Sequence, residues 1–177
     1  MQSPYEMEAA NLFVGEPDPQ RALGLVLDTF KLPALQEKTR GHTGGGALAE
    51  IRMGTRVFEP FEFTFSLRGI NPDVMDRVMS ATGRLSYYLL GNVRNMITNE
   101  EIPGRAVIEG RMTKSDMGAF NAERGFSTDY QIDDVLHYSL HLNSQEKYWF
   151  QYQDGPLGWR VNGQIVFQTM ARNIGLA

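Results

Sequence analysis

The chain has 177 residues, which fits a single domain over residues 1–177 that buries roughly 70% of its extended-chain surface, so folding requires neither disulfide nor metal. It contains no cysteine, which excludes thiolate catalysis and cysteine-ligated zinc. A formal net charge of −4 argues against a dedicated nucleic-acid-binding surface, which carries a basic excess.

From the N-terminus, Glu6, Glu8, Glu16 and Asp18 precede any Lys or Arg, so neither a secretory signal nor a mitochondrial leader is readable. No apolar run is long enough to span a bilayer, and the chain reads as a soluble protein with no membrane partner. Asn11–Gly15 is a short apolar run closed by Glu16-Pro17-Asp18-Pro19, which predicts a strand and then a loop. Apolar residues resume from Leu23 to Phe30 and continue through Lys31–Arg40 across Pro33, a residue suited to an edge or a bend. Gly41-His42-Thr43-Gly44-Gly45-Gly46 is too glycine-rich for a regular element and predicts an irregular loop.

Ala47–Gly54 alternates in polarity and leads through Thr55–Pro60 to Phe61–Arg68, so these two segments read as an antiparallel hairpin. The second is the clearest strand in the chain. Phe61, Phe63, Phe65 and Leu67 fall on one face, and Glu62, Thr64, Ser66 and Arg68 on the other. After Gly69-Ile70 the period breaks, with Asn71 at an N-cap, Pro72 at the first helical position and Asp73 in the first turn. This predicts a helix over 72–82 whose stripe is Val74, Met75, Val78 and Met79 and whose stop is Gly83.

Leu85–Leu90 reads as a strand and Arg94–Gly104 as a polar connector. Arg105, Val107, Glu109, Arg111 and Thr113 then alternate with Ala106, Ile108, Gly110 and Met112. Lys114–Asp134, with its glycines and acids, predicts a long loop. Val135–Asn143 returns to period two, with Leu136, Tyr138, Leu140 and Leu142 opposite His137, Ser139 and His141, and should pair with Arg105–Thr113. Lys147–Tyr152 is a further aromatic strand, Asp154–Gly158 a turn, and Gln164–Arg172 a short terminal helix.

The sharper chemical readings of these residues are weak. His137 and His141 lack a third metal ligand and as strand residues stand about 13 Å apart. Gly41–Gly46 lacks the Gly-Lys-Ser/Thr of a phosphate loop, and Asp116, Glu123, Asp129, Asp133 and Asp134 do not fall in a calcium-loop register. Tyr148, Trp149, Phe150 and Tyr152 fit a core-and-interface strand better than a stacking site. No nucleophile sits in a recognisable elbow, so no catalytic residue, metal ligand or cofactor is assigned and the chain does not read as an enzyme.

Taken together, Asn11-Leu12-Phe13, Lys31-Leu32-Pro33-Ala34-Leu35 leading to Arg40-Gly41, Phe65-Ser66-Leu67-Arg68-Gly69 with Ala81-Thr82-Gly83, and Val161-Asn162-Gly163 through Arg172-Asn173-Ile174-Gly175-Leu176 carry a resemblance over nearly the whole chain. The sequence resembles the major tail tube protein of contractile-tailed bacteriophages and the inner tube protein of R-type pyocins. The resemblance implies a mainly β subunit, a β-sandwich or half-barrel with two long lumen-lining hairpins and a short helix or two. It implies hexameric rings stacked into the inner tube of a contractile tail, a conduit for DNA ejection in the virion, assembled in the host cytoplasm.

By that analogy the lining hairpins are Ala47–Gly54 with Phe61–Arg68 and Arg105–Thr113 with Val135–Asn143. The lumen-facing residues are then Glu62, Thr64, Ser66, Arg68, Arg105, Glu109, Arg111, His137, Ser139 and His141. Glu62 and Glu109 are the candidates for repelling a phosphate backbone, and the polar alternation agrees with this face. The loop Gly41, His42, Thr43, Gly44, Gly45 and Gly46 matches the segment that contacts the next ring and orders on assembly. Implied partners are the chain itself, the tail sheath, the tape-measure, baseplate and tail terminator proteins, and viral DNA in transit without specific binding. The alternative is a monomeric β-barrel module holding a small ligand between its aromatic strands.

Overall fold

A computed structural model describes residues 4–46, 48–79, 83–123 and 125–176. Its strands are β1 (Tyr5–Val14), β2 (Leu27–Lys31), β3 (Glu37–His42), β4 (Ile51–Phe58), β5 (Phe63–Arg68), β6 (Leu85–Asn95), β7 (Glu101–Met117), β8 (Ser127–Leu142), β9 (Gln145–Gln151), β10 (Trp159–Val161) and β11 (Gln164–Ile165). Two helices, α1 (Pro72–Met75) and α2 (Gln168–Asn173), and short 3-10 segments complete it. The protein is mainly β.

One large antiparallel sheet runs β1-β6-β7-β8-β9-β10-β11, and β5 joins it along β8 with β2 outside β5. Strand β8 therefore serves two neighbours on one side: its first half pairs with β5, Phe63 opposite Ile132, and its second half with β9, Ser139 opposite Trp149. The β7–β8 ribbon is long enough to bend between these halves. Register shifts fall between Glu109 and Arg111 and between Met112 and Lys114, and Asp134 on the facing strand has φ 54°. Gly110 sits in the bend because a Cβ there would stand 2.6 Å from Ile132 Cγ2 and 2.9 Å from the Asp133 carbonyl.

The bend folds the sheet over its own apolar face. Phe63 and Phe65 of β5 reach Tyr87 of β6 at ring distances of 6.0 and 6.3 Å, although β5 and β6 are not neighbours in the sheet. Between the two layers lie Leu12, Leu67, Leu89, Ile108, Met112 and Ile132, all essentially inaccessible to solvent. This is the half-barrel that the resemblance implies, built from strands with one greasy side. Val74 of α1 closes one end of the core.

Several local expectations hold in detail and several are corrected. Asn71 caps α1, its side chain accepting from the Val74 N–H at 3.1 Å, and Pro72 opens the helix. The helix ends at Met75 rather than 82, and Met79 has left-handed backbone (φ 52°) and is exposed rather than packed. Ser80, Ala81 and Thr82 lie outside the described residues, as does Ala47. The supposed connector Arg94–Gly104 is mostly strand, because β6 runs to Asn95 and β7 begins at Glu101. Pro103 is tolerated in β7 because it has no partner in β8: its carbonyl accepts from Asn143 N–H beyond the end of that strand.

The loop read over Lys114–Asp134 shrinks to the residues between Met117 and Ser127. Acids and glycines there misled, since Asp129, Gln131 and Asp133 are the outer face of a strand whose inner face is Thr128, Tyr130 and Ile132. The hairpin joining Ala47–Gly54 to Phe61–Arg68 does not form. Instead β4 pairs with β3, while β5 pairs with β2 and β8. The other expected hairpin does form, with Glu109 opposite His137 and Arg105 opposite His141.

Candidate assembly surfaces

Two surfaces stand out: the polar face of the large sheet and the β3–β4 ribbon. The residues expected to look onto a channel lie on the side of the sheet turned away from the core, in two groups on either side of the bend.

In the first group Glu62, Thr64, Ser66 and Arg68 line β5 and its entry. Gln131 of β8 ties this group together, its amide donating to Glu62 at 3.2 Å and to Asp133 at 3.1 Å. Asp133 in turn accepts from the Thr113 hydroxyl. Arg68 is held by Asp28 of β2 at 3.1 Å, and Arg111 faces Asp133 in register. Asp116 and Asp129, opposite each other across β7 and β8, lie on the same face. These acids were missed because they fell in the supposed loop; the alternation from Thr128 to Asp133 was the signal that could have found them.

In the second group, Arg105, Glu109, His137, Ser139 and His141 sit on β7 and β8 beside Trp149 of β9. The His137 ring meets Trp149 edge-on at 4.5 Å and its Nδ1 pairs with Gln151 Oε1 at 3.0 Å. Burial lowers the His137 pKa below its ordinary value, against the opposing pull of Gln151 and the Glu109 carboxylate. Arg160 of β10 stacks on the other side of this patch, 4.4 Å from the Trp149 ring, and pairs with Glu146 at 3.2 Å. Ser139 and Ser66 are themselves buried, at 2% and 6% exposure. Each is a short side chain flanked by longer ones on the same face, Ser139 by Trp149 and Val107, Ser66 by Asp129 and Thr29.

Strands β3 and β4 form a separate two-stranded sheet, an arm with both faces in solvent. Its base is aromatic: Phe58 lies 4.7 Å from the Trp159 ring and 5.7 Å from Phe61. Near the base the pairing jumps from Glu37–Phe58 to Thr39–Gly54. The Glu37 carboxylate occupies that bulge, accepting the N–H of Arg56, which is left-handed at φ 61°. A Cβ at Gly54 would meet that carboxylate at 2.5 Å.

Of the residues expected in an irregular inter-ring loop, Gly41 and His42 belong to β3, in register with Arg52 and Ile51. Thr43, Gly44, Gly45 and Gly46 form the tip, where Gly46 takes φ +88° and nothing approaches either Gly45 or Gly46. Leu48, Ile51, Met53 and Val57 are all at least half exposed along this arm. A two-stranded ribbon with both faces wet is at best marginally stable alone.

Between the arm base and α2 runs an apolar groove of about 710 Å³ lined by Phe58, Phe61, Phe150, Trp159, Phe167 and Met170. Among the described residues no group of acids and histidines is placed to hold a metal ion, and no helix is long and apolar enough to cross a membrane. A family model described as phage tail tube protein FII matches residues 4–175, nearly the whole chain. No curated protein matches it.

Proposed function

The chain belongs to the phage tail tube protein FII family, and from that we propose that it is the repeating subunit of the inner tube of a contractile tail, six copies closing each ring and the rings stacking into a conduit for DNA ejection. Family membership makes it a structural component of a virion tail that assembles with itself. The finer reading is supported above all by the arm, a ribbon whose exposed Ile51, Met53 and Val57 have no cover within the subunit.

The polar sheet face is the proposed bore, carrying Glu62, Thr64, Ser66, Arg68, Arg105, Glu109, Arg111, His137, Ser139 and His141, with the tip residues Gly41–Gly46 contacting the next ring. Its chemistry suits passage of a polyanion. Arg68 is paired with Asp28 and Arg160 with Glu146, while Asp116, Asp129 and Asp133 add negative charge beside Glu62 and Glu109. Each free cation touching phosphate would release counterions and add salt-dependent affinity; Arg105 and Arg111 on this face make no ion pair among the described residues, so it is the acids around them that would keep DNA mobile. Within the virion the sheath would surround such a tube, the tape-measure protein would fill it before DNA passes, and baseplate and terminator proteins would close its ends; assembly would precede release, in the host cytoplasm.

A cryo-electron microscopy map of assembled material tests this reading. The expected result is six-fold rings with Arg105, Glu109 and His137 on the inner wall. An inner wall built from another face, or a continuously basic bore, would overturn it.

A further inference from the structure

Two histidines on the polar sheet face, His137 and His141, have no task in a bore that only lets DNA slide. Charged and polar side chains surround them from every neighbouring strand. From β7, Glu109 stands opposite His137 and Arg105 opposite His141. From β9, Gln151 stands opposite His137 and Glu146 opposite His141, and the register skips Lys147, which bulges between. From β10, Arg160 reaches over the Trp149 ring and takes the Glu146 carboxylate at 3.2 Å. From β6, Tyr88 lies beneath Arg105, its ring 5.8 Å from the guanidinium carbon.

With both imidazoles neutral, Arg105, Lys147 and Arg160 outnumber Glu109 and Glu146 by a single charge. Each imidazole that takes a proton adds another. Both have a place for it. The Nδ1 of His141 and the Oε1 of Glu146 are buried without a hydrogen-bond partner, and a proton at Nδ1 supplies the donor that this oxygen lacks. The His137 Nδ1 donates to Gln151 Oε1 at 3.0 Å, so its Nε2 is the atom that gains a proton. Burial outweighs Gln151 and Glu109 there, and His137 charges below the ordinary histidine value of about 6.5.

We propose that this cluster is a proton-dependent binding site for the phosphate backbone of DNA, permissive in neutral solution and adhesive once acid has charged His137 and His141. The inference rests on the tube reading for its place in a bore, but a single subunit carries its chemistry. The partner is a polyanion because every group that acid adds here is a cation, and it is added beside Arg105, which is exposed and makes no ion pair among the described residues.

Fluorescence anisotropy of a labelled duplex of about 20 base pairs, titrated with wild-type protein between about pH 7.5 and about pH 5.5, tests the site. Affinity should rise by about tenfold towards acid, and the slope of log affinity against log salt should steepen by about 0.9 for each histidine that meets phosphate. His137→Gln combined with His141→Gln should cut the rise to about threefold or less. His42 remains in that variant, so a full rise that survives both substitutions belongs elsewhere and overturns the site. A wild-type affinity and salt slope indifferent to acid overturn it without any variant. Negative-stain images of the same samples keep the two readings apart. Rings without a histidine-dependent rise overturn the site and leave the tube; a histidine-dependent rise without rings keeps the site and overturns its place in a bore.

Discussion

Replacing Gly110 with alanine probes the bend that turns a ribbon into a half-barrel. The new methyl would stand 2.6 Å from Ile132 Cγ2 and 2.9 Å from the Asp133 carbonyl. Ile132 is fully buried, and the carbonyl belongs to the β8 backbone beside the left-handed Asp134. Neither neighbour can swing away as a surface side chain would, so the strands must part. Overpacking of this kind costs about 1–3 kcal/mol, which for a chain of this length lowers the melting temperature by about 2–12 °C.

Urea titration followed by tryptophan fluorescence measures the effect: the midpoint should fall while the slope stays constant. Gly45→Ala is the internal comparison. Nothing lies within 4 Å of a Cβ there and its backbone is not left-handed, so it should change stability by less than about 0.5 kcal/mol. Equal effects at the two glycines would refute the claim that the bend depends on a missing side chain.

Three further outcomes are expected. Tyr87 is fully buried and its hydroxyl has no hydrogen-bond partner, so Tyr87→Phe should be neutral or stabilise by up to about 1 kcal/mol; a clear loss in thermal unfolding would show that the hydroxyl is satisfied. Burial raises the pKa of Tyr87 and pushes Tyr138 up to about 12. The folded state therefore holds protons that the unfolded state releases from about pH 10, so stability is full below pH 10 and declines above it. Absorbance titration should show these tyrosines ionising late, and a single early transition for all tyrosines would contradict it. Asn71→Ala removes the cap on Val74 N–H and should cost about 1 kcal/mol, measured by the same denaturation; no change would mean that α1 does not depend on its cap.

What was legible in the residues follows from burial on one side only. β5, the capped start of α1 and the β7–β8 pairing all show through because one face meets the core and the other water. The arm was misassigned because both its faces are exposed, so the alternation of Ala47–Gly54, with Ile51 and Met53, resembled a half-buried strand and was paired with Phe61–Arg68. The first half of β8 was lost among its acids although Tyr130 and Ile132 marked its inner face. Met79 shows a third limit: α1 ends at Met75 and Met79 takes left-handed backbone beyond it, which helical spacing alone cannot reveal. The face proposed for the bore was readable as polar, yet the pairing of Arg68 with Asp28 joins β5 to β2, 40 residues apart in the chain.

The central claim is that surfaces left uncovered in one subunit are covered by identical neighbours. Purified protein concentrated stepwise, followed by sedimentation velocity and viewed by negative-stain electron microscopy, tests it most directly. Stacked rings and hollow tubes growing with concentration are the predicted result. A single species that stays monomeric at every concentration would contradict the account.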